Sequence, residues 1–201
     1  MCSSDLVLDA ALRGMRRAER DVADGGGRID SAIIVCGLRS HEARVTSETA
    51  EAAVAYAGRG VCGFDLAGAE AGHPVADHRD AVDRAYAAGL PVTLHAGEGF
   101  GPESIRQALD IGHARRIGHG TRLQEDPALL ERVREGGIPL EVCLTSNVQT
   151  GVVPTLADHP ARLYQQAGVS VSLGTDNRLM SGVTLRDEYA RARDHLGMTR
   201  R

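Results

Sequence analysis

The chain contains no lysine, and all 23 of its basic residues are arginine. Without a lysine amine, the chain cannot form a lysine Schiff base or attach pyridoxal phosphate through one. A Walker-type phosphate loop also requires lysine, so that class of nucleotide-binding site is excluded as well.

Aromatic residues and clustered positive charge are scarce. Aromatic side chains make up 3% of the sequence, and the net charge is −4, with acidic and basic residues interspersed. Nucleic-acid binders use basic stripes to neutralise phosphates and aromatic side chains to stack bases. The composition therefore gives no support for a nucleic-acid partner.

Long apolar runs are also missing. No segment approaches the length of a membrane span, and no signal-peptide pattern opens the chain. We therefore predict a cytoplasmic protein without a membrane partner.

The four cysteines form no CxxC pair and no zinc-finger spacing. Three of them, Cys36, Cys62 and Cys143, fall in apolar segments that are predicted to be strands, and Cys2 lies near the start. We expect these three to be small buried hydrophobic residues in a reducing compartment.

The sequence does contain a regular alternation of apolar strands and amphipathic helices. At 201 residues and 42% hydrophobic content, it can form one domain or part of a larger one. Strands are predicted at 29–38, 61–66, 91–95, 116–119, 139–144 and 169–175. Helices are predicted at 7–24, 47–56 with Ser47 as the cap, 74–88, 102–111, 127–135, 154–167 and 185–196. This alternation predicts a parallel α/β sheet, and its continuous first strand predicts apolar cover on both faces.

Polar side chains follow nearly every predicted strand, at its carboxyl end. In chain order they are Asp65, His95 with Glu98, His119, Ser146 with Asn147, and Asp176 with Asn177. Polar groups at successive strand ends indicate a ring that converges on one point, as in a barrel, rather than a crevice at one switch point. The predicted fold is a partial TIM (β/α)8 barrel with about six of its eight βα units.

The segment Leu90 to Gly101 (LPVTLHAGEGFG) carries the clearest chemical signal. His95 ends a strand and Glu98 follows three residues later, beyond a glycine. A histidine there could bind a metal, and the carboxylate could transfer protons beside it.

Five motifs in chain order resemble the adenosine deaminase family, which comprises zinc-dependent TIM-barrel hydrolases of the amidohydrolase superfamily. The resemblance extends from about residue 29 to 196. The motifs are DLAGAE from Asp65, LHAGEG from Leu94, RIGHG from Arg116, TSNVQTG from Thr145 and SLGTDN from Ser172.

The resemblance implies a role for each matching residue. His95 and Asp176 would bind zinc, which acidifies a bound water. Asp176 and His119 would orient that water toward C6 of a purine nucleoside, and Glu98 would protonate ring N1. Gly68 would let the purine edge approach the backbone. Asn177 stands where many relatives have a second aspartate that contacts N7, so altered affinity rather than lost chemistry is expected.

Structural explanations compete with these roles. Asp65 could brace a turn, and for Glu70 this is the favoured interpretation. Asn147 and Gln149 could shape their loop rather than contact substrate. His119 could be an ordinary core histidine. We expect the remaining histidines to be solvated surface residues: His41, His73, His78, His113, His159 and His195.

Two departures from the family pattern predict a fragment. The family takes its other two zinc ligands from an HxH motif in its first strand, and no HxH occurs in this sequence. The first six residues, MCSSDL, match the translation of a common sequencing-adapter tail. Reading the coding DNA would test whether these residues come from an adapter. We therefore expect residues 1–6 to be a non-native leader and residues 7–201 to form a single incomplete barrel domain. This domain would lack the amino-terminal strands and the carboxyl-terminal helices, and would be inactive alone.

The predicted reaction is the deamination of adenosine or 2′-deoxyadenosine to the inosine product and ammonia, in purine salvage. One alternative is deamination of adenine or another 6-aminopurine. A second is a non-catalytic remnant that binds a purine or a partner chain. The HxE and PCxxC pattern of cytidine deaminases and the HExxH of zinc proteases are both absent. The sequence does not predict an oligomeric state.

Overall fold

The computed structural model describes residues 3–199. Its centre is a six-stranded sheet. The strands are Ile33–Leu38 (β1), Val61–Ala67 (β2), Val92–Ala96 (β3), Ala114–His119 (β4), Leu140–Val142 (β5) and Val171–Leu173 (β6).

The strands are all parallel and lie in the sheet in the same order as in the chain, β1 to β6. A doubly wound sheet reverses its strand order at a switch point, whereas a (β/α)8 barrel adds each strand beside the last. The sequential order therefore confirms the predicted architecture, a partial barrel of six βα units.

Nine α-helices connect or flank these strands in the described part of the chain. They are Ser3–Asp24 (α1), Ala43–Ala55 (α2), Arg79–Ala87 (α3), Pro102–Asp110 (α4), Pro127–Glu135 (α5), Leu144–Gln149 (α6), Ala161–Ala167 (α7), Arg178–Ser181 (α8) and Leu185–Leu196 (α9).

Local sequence explains where several helices begin. Proline occupies the first turn of α4 and α5, where its missing N–H costs no hydrogen bond. The Asp126 side chain caps α5 by accepting from Leu129 N. Thr184 and Asp187 form a reciprocal capping box at the start of α9.

The core lies between the sheet and the helices that cover it. Phe64, Leu66, Leu94, Ile117 and Leu140 are fully buried on the central strands. Because these strands are covered by helices, their apolar side chains form a continuous core, which holds the strand ends in fixed positions.

The first strand differs from its prediction. It begins at Ile33 rather than residue 29, and it lies at the edge of the sheet. Ile34 and Leu38 are 37% and 41% exposed. The face of β1 that carries Ile34, Cys36 and Leu38 is therefore exposed, and the expectation of apolar cover on both faces was wrong, because a run of apolar residues does not reveal what packs on each face.

Two cysteines also contradict their prediction. Cys36 and Cys62 are exposed, and only Cys143 of the three is buried. Cys36 lies on the exposed face of β1, together with Ile34 and Leu38. Cys2 and Met1 lie outside the described residues.

Several helix boundaries and two short helices were not predicted. Helix α2 begins at Ala43 with Glu42 before it, so Ser47 is not its cap. The segments predicted as helices from 74 and from 154 begin with short 3-10 turns, at Val75–His78 and Leu156–Asp158. Helices α6 and α8 are too short for a periodic pattern to reveal.

Helix α1 begins at Ser3, inside the segment predicted as a leader. The origin of residues 1–6 stays a prediction that the coding DNA tests. No helix within residues 3–199 is long and apolar enough to cross a bilayer.

A pair of glycine substitutions tests the packing of this fold. A Cβ at Gly112 would lie 2.1 Å from Leu94 Cδ1 and 2.8 Å from the Ala108 carbonyl oxygen. Gly112→Ala is expected to lower the free energy of unfolding by about 1–3 kcal/mol, because a packed core resists added volume. Urea unfolding of the chain measures the change.

Gly14→Ala is the matched control. Gly14 lies inside α1, and a Cβ there meets nothing within 4 Å. This variant should raise stability by about 0.5–1 kcal/mol, because alanine is the better helix former. Equal effects of the two substitutions would contradict the packing described here.

Candidate active site

The site begins with a carboxylate and a histidine on neighbouring strands. Asp65 lies near the carboxyl end of β2 and is 6% exposed. Its Oδ2 atom lies 2.8 Å from Nδ1 of His95 on β3, and its Oδ1 accepts from Leu66 N. The carboxylate therefore orients the His95 ring and leaves Nε2 as the nitrogen available to a ligand.

The next strand packs directly against this histidine. Gly118 on β4 is paired with His95, and a Cβ at Gly118 would lie 3.1 Å from His95 Nδ1. The absence of a side chain at Gly118 allows the His95 ring to occupy this position. His119 follows, and its ring centroid lies 5.0 Å from that of His95 in an edge-to-face arrangement.

Two candidate residues have unusual backbone conformations. His119 has φ of 62° and Asp176 has φ of 54°, and only one other non-glycine residue among the described ones, His113, has positive φ. Such conformations are uncommon for non-glycine residues and occur often at functional sites. Both residues end or follow a strand, where the chain must turn sharply.

Glu70 holds the loop that carries Glu98. Its carboxylate accepts three backbone hydrogen bonds, from Gly97 N at 2.8 Å, Glu98 N at 2.9 Å and Gly99 N at 2.7 Å. Glu70 is 7% exposed, so these donors replace the water it has lost. Its predicted role of bracing a turn agrees with these contacts.

Asn147, on α6, joins Glu98 to His119. Its side-chain nitrogen lies 2.9 Å from Glu98 Oε1 and 3.1 Å from His119 Nδ1. Its side-chain oxygen lies 3.1 Å from Thr121 Oγ1 and 3.2 Å from His159 Nε2. All four hydrogen-bonding positions of the primary amide are therefore used, and they link side chains from four different segments.

Two histidines expected on the surface are buried instead. His159 and His78 are each 3% exposed. His159 contacts Asn147, as described above, and His78 Nε2 lies 3.0 Å from the carbonyl oxygen of Arg39. Their polar character suggested solvent exposure, but each has found hydrogen-bond partners inside the fold.

Arg39 is a further residue that the sequence did not reveal. It follows β1, is 1% exposed, and donates to the carbonyl oxygens of His95 at 2.8 Å and His73 at 3.0 Å. It thereby ties the end of β1 to the strand that carries His95. No local motif marks it, because its partners are distant in sequence.

The remaining predicted residues lie at the end of β6 and after β2. Ser146 Oγ donates to Asp176 Oδ2 at 2.6 Å. The Asn177 side chain caps α8 by accepting from Leu179 N and Met180 N. Gly68 has φ of 96°, a conformation that favours glycine.

The environment shifts several pKa values. Burial lowers the pKa of His119, although the Glu98 carboxylate partly opposes this effect. Burial alone would lower the pKa of His95, but the Asp65 carboxylate raises it above the ordinary value. Burial also opposes ionisation of Asp176, yet the Ser146 hydrogen bond and the nearby His119 lower its pKa.

The side chains at this site meet only some of the requirements of a metal site. His95 is contacted at Nδ1 by a carboxylate, as metal-binding histidines usually are, which leaves Nε2 to bind a metal. Catalytic zinc sites use three protein ligands. Within residues 3–199, however, no group of three or more His, Cys, Asp or Glu residues could hold an ion.

Comparison with known proteins identifies the family of this chain. The family model described as "Adenosine deaminase" matches residues 2–201. An adenosine deaminase from Mycobacteroides abscessus is 42% identical over 204 residues, covering 96% of this chain. The chain spans 56% of the length of that relative.

Two solved structures resemble the fold closely. An adenine deaminase from Arthrobacter aurescens gives a TM-score of 0.84 at 28% identity, over 96% of this chain and 58% of that one. An amidohydrolase from Burkholderia ambifaria, solved with bound Zn, gives 0.88 at 25% identity, over 98% and 54%.

The sequential parallel strands and the polar cluster at their carboxyl ends define a TIM-barrel protein of the amidohydrolase type. Within that class, the chain belongs to the adenosine deaminase family.

The buried His159 generates a prediction about acid stability. Burial, and to a lesser extent the nearby His119, lowers the pKa of His159 from 6.5 to about 4. Its contribution to stability is fully present above about pH 6.5 and is lost as the pH falls toward 4, because the unfolded chain binds the proton first. The loss amounts to about 3 kcal/mol.

Urea unfolding at pH 7 and pH 4.5 measures this loss. His159→Gln should reduce the difference between the two pH values, whereas the exposed His41→Gln should leave it unchanged. An identical pH dependence in the wild type and His159→Gln would contradict the prediction.

Proposed function

We propose that the protein containing this chain is a zinc-dependent deaminase that hydrolyses adenosine and 2′-deoxyadenosine to inosine products and ammonia, as a step in purine salvage. The observation that carries this proposal is the joint contact of Asn147 with Glu98 and His119, next to His95. These contacts bring together Glu98, which can carry a proton, the imidazole of His119, and His95, which can bind a metal.

Glu98 supplies the proton for the purine ring. Its Oε1 accepts from Asn147, so Oε2 is the oxygen that remains available to carry and deliver a proton. Delivery to ring N1 makes C6 more electrophilic, and general acids of this kind contribute about 10²–10⁴-fold to a rate.

His119 orients the attacking water and stabilises charge as the new C6–O bond forms. Its Nε2 lies 3.6 Å from Glu98 Oε2, and its Nδ1 faces Asn147. The attacking water gives up one proton to the Asp176 carboxylate as the C6–O bond forms, and that proton passes to N6. The C6–N6 bond then breaks, ammonia leaves, and the C6 hydroxyl gives its proton back to Glu98 as the carbonyl product forms.

Zinc would be held by His95 Nε2 and by Asp176, together with ligands from outside residues 3–199. When bound, it would supply an acidified water as the nucleophile at neutral pH. The Burkholderia ambifaria relative, solved with bound Zn, supports this metal. Because only two such ligands are described, we propose that the 201-residue chain alone is inactive.

Adenine is the second candidate substrate. The Arthrobacter aurescens neighbour is an adenine deaminase, whereas the relative at 42% identity is an adenosine deaminase. The higher identity favours the nucleoside. Comparison of kcat/KM for adenosine, 2′-deoxyadenosine and adenine decides between them.

The test is an absorbance assay of adenosine conversion by the complete gene product, with and without a chelator. We expect chelator-sensitive formation of inosine, and Glu98→Gln should lower kcat by about 10²–10⁴-fold. Glu103→Gln is the matched control, because Glu103 lies on the neighbouring helix α4, outside the cluster around Asn147.

Two outcomes would contradict the proposal. A zinc-loaded complete protein that converts none of the three substrates would overturn the deaminase function. Zinc-dependent turnover by the pure 201-residue chain would overturn its inactivity.

A further inference from the structure

One backbone N–H group, that of Ala161, determines which atoms donate and which accept in the hydrogen bonds around Asn147. Ala161 N lies 3.1 Å from His159 Nδ1. A backbone N–H can only donate, so His159 Nδ1 accepts and carries no proton. A neutral His159 must then carry its proton on Nε2.

The next contact extends the same reasoning to Asn147. His159 Nε2 faces an Asn147 side-chain atom at 3.2 Å, and a protonated Nε2 requires an acceptor there. The Asn147 oxygen must therefore point to His159, and Thr121 Oγ1 can donate to the same oxygen at 3.1 Å. The amide nitrogen then points the other way, toward His119 and Glu98.

The direction of the last contact fixes the tautomer of His119. An amide nitrogen donates only, so His119 Nδ1 must accept at 3.1 Å. The proton of a neutral His119 is therefore on Nε2, the nitrogen that faces Glu98 Oε2 at 3.6 Å. The same amide donates to Glu98 Oε1 at 2.9 Å.

We propose that His159 is a positioning residue that, through the Asn147 amide, fixes the tautomer of His119 and the orientation of Glu98. His159 and Asn147 are 3% and 0% exposed, so water cannot replace these contacts freely. The predicted role of His119 rests on the proposed function, but its tautomer does not.

Nitrogen NMR of the 201-residue chain with labelled histidine tests the tautomer directly, without activity. The His119 signals are assigned by their loss in His119→Gln. We expect a proton on Nε2 and none on Nδ1. A proton on Nδ1 of neutral His119 would overturn the proposal.

Three variants separate positioning from packing. Asn147→Asp replaces the donor with an acceptor and should move the His119 proton to Nδ1. His159→Leu should leave His119 as a mixture of tautomers, whereas His159→Gln keeps a donor near the Nε2 position and should preserve the wild-type tautomer. An unchanged His119 tautomer in both Asn147→Asp and His159→Leu would overturn the proposal.

Kinetics of the complete protein provide the second readout. His159→Leu should lower kcat about 10-fold with little change in KM, and His159→Gln should restore most of it. If the complete protein shows no deaminase activity, the NMR result still decides the proposal. If His159→Leu does not fold, the wild-type and Asn147→Asp spectra decide it.

Discussion

The contact between Asp65 and His95 is the interaction on which the geometry of the site depends. Asp65 is buried at the end of β2, and a buried carboxylate needs donors. Leu66 N and His95 N donate to its Oδ1, and His95 Nδ1 lies 2.8 Å from its Oδ2, which leaves Nε2 as the ring nitrogen available to a ligand. Gly118 leaves room for the ring, and His119 then packs against it. Parallel pairing of β2, β3 and β4 thus brings residues of three sequence motifs together in one cluster.

A second group of contacts, formed by buried polar residues, controls where protons lie. Glu70 fixes the backbone of the Glu98 loop through three N–H groups. Asn147 fixes the side chains, because its amide has a donor end and an acceptor end that cannot be exchanged without losing hydrogen bonds. Glu70 thus fixes the backbone of Glu98, and Asn147 fixes its side chain. Catalysis by proton transfer depends on such fixed positions.

The sequence predicted the order of the strands and the polar residues at their ends, because both follow from local patterns. His95, for example, ends an apolar run that glycines terminate. It did not predict the burial of His159 or the role of Arg39, because their partners lie 12 and 56 residues away. It also predicted apolar cover on both faces of β1, although Ile34 and Leu38 are exposed. Periodicity reports which residues are apolar, whereas tertiary contacts decide what covers them.

The most direct test of this account is anomalous diffraction at the zinc edge from crystals of the complete protein. We expect zinc bonded to Nε2 of His95, with the Asp65 carboxylate still next to Nδ1. Zinc bonded to Nδ1, or zinc at a position away from His95, would contradict the central role assigned to the Asp65 and His95 contact.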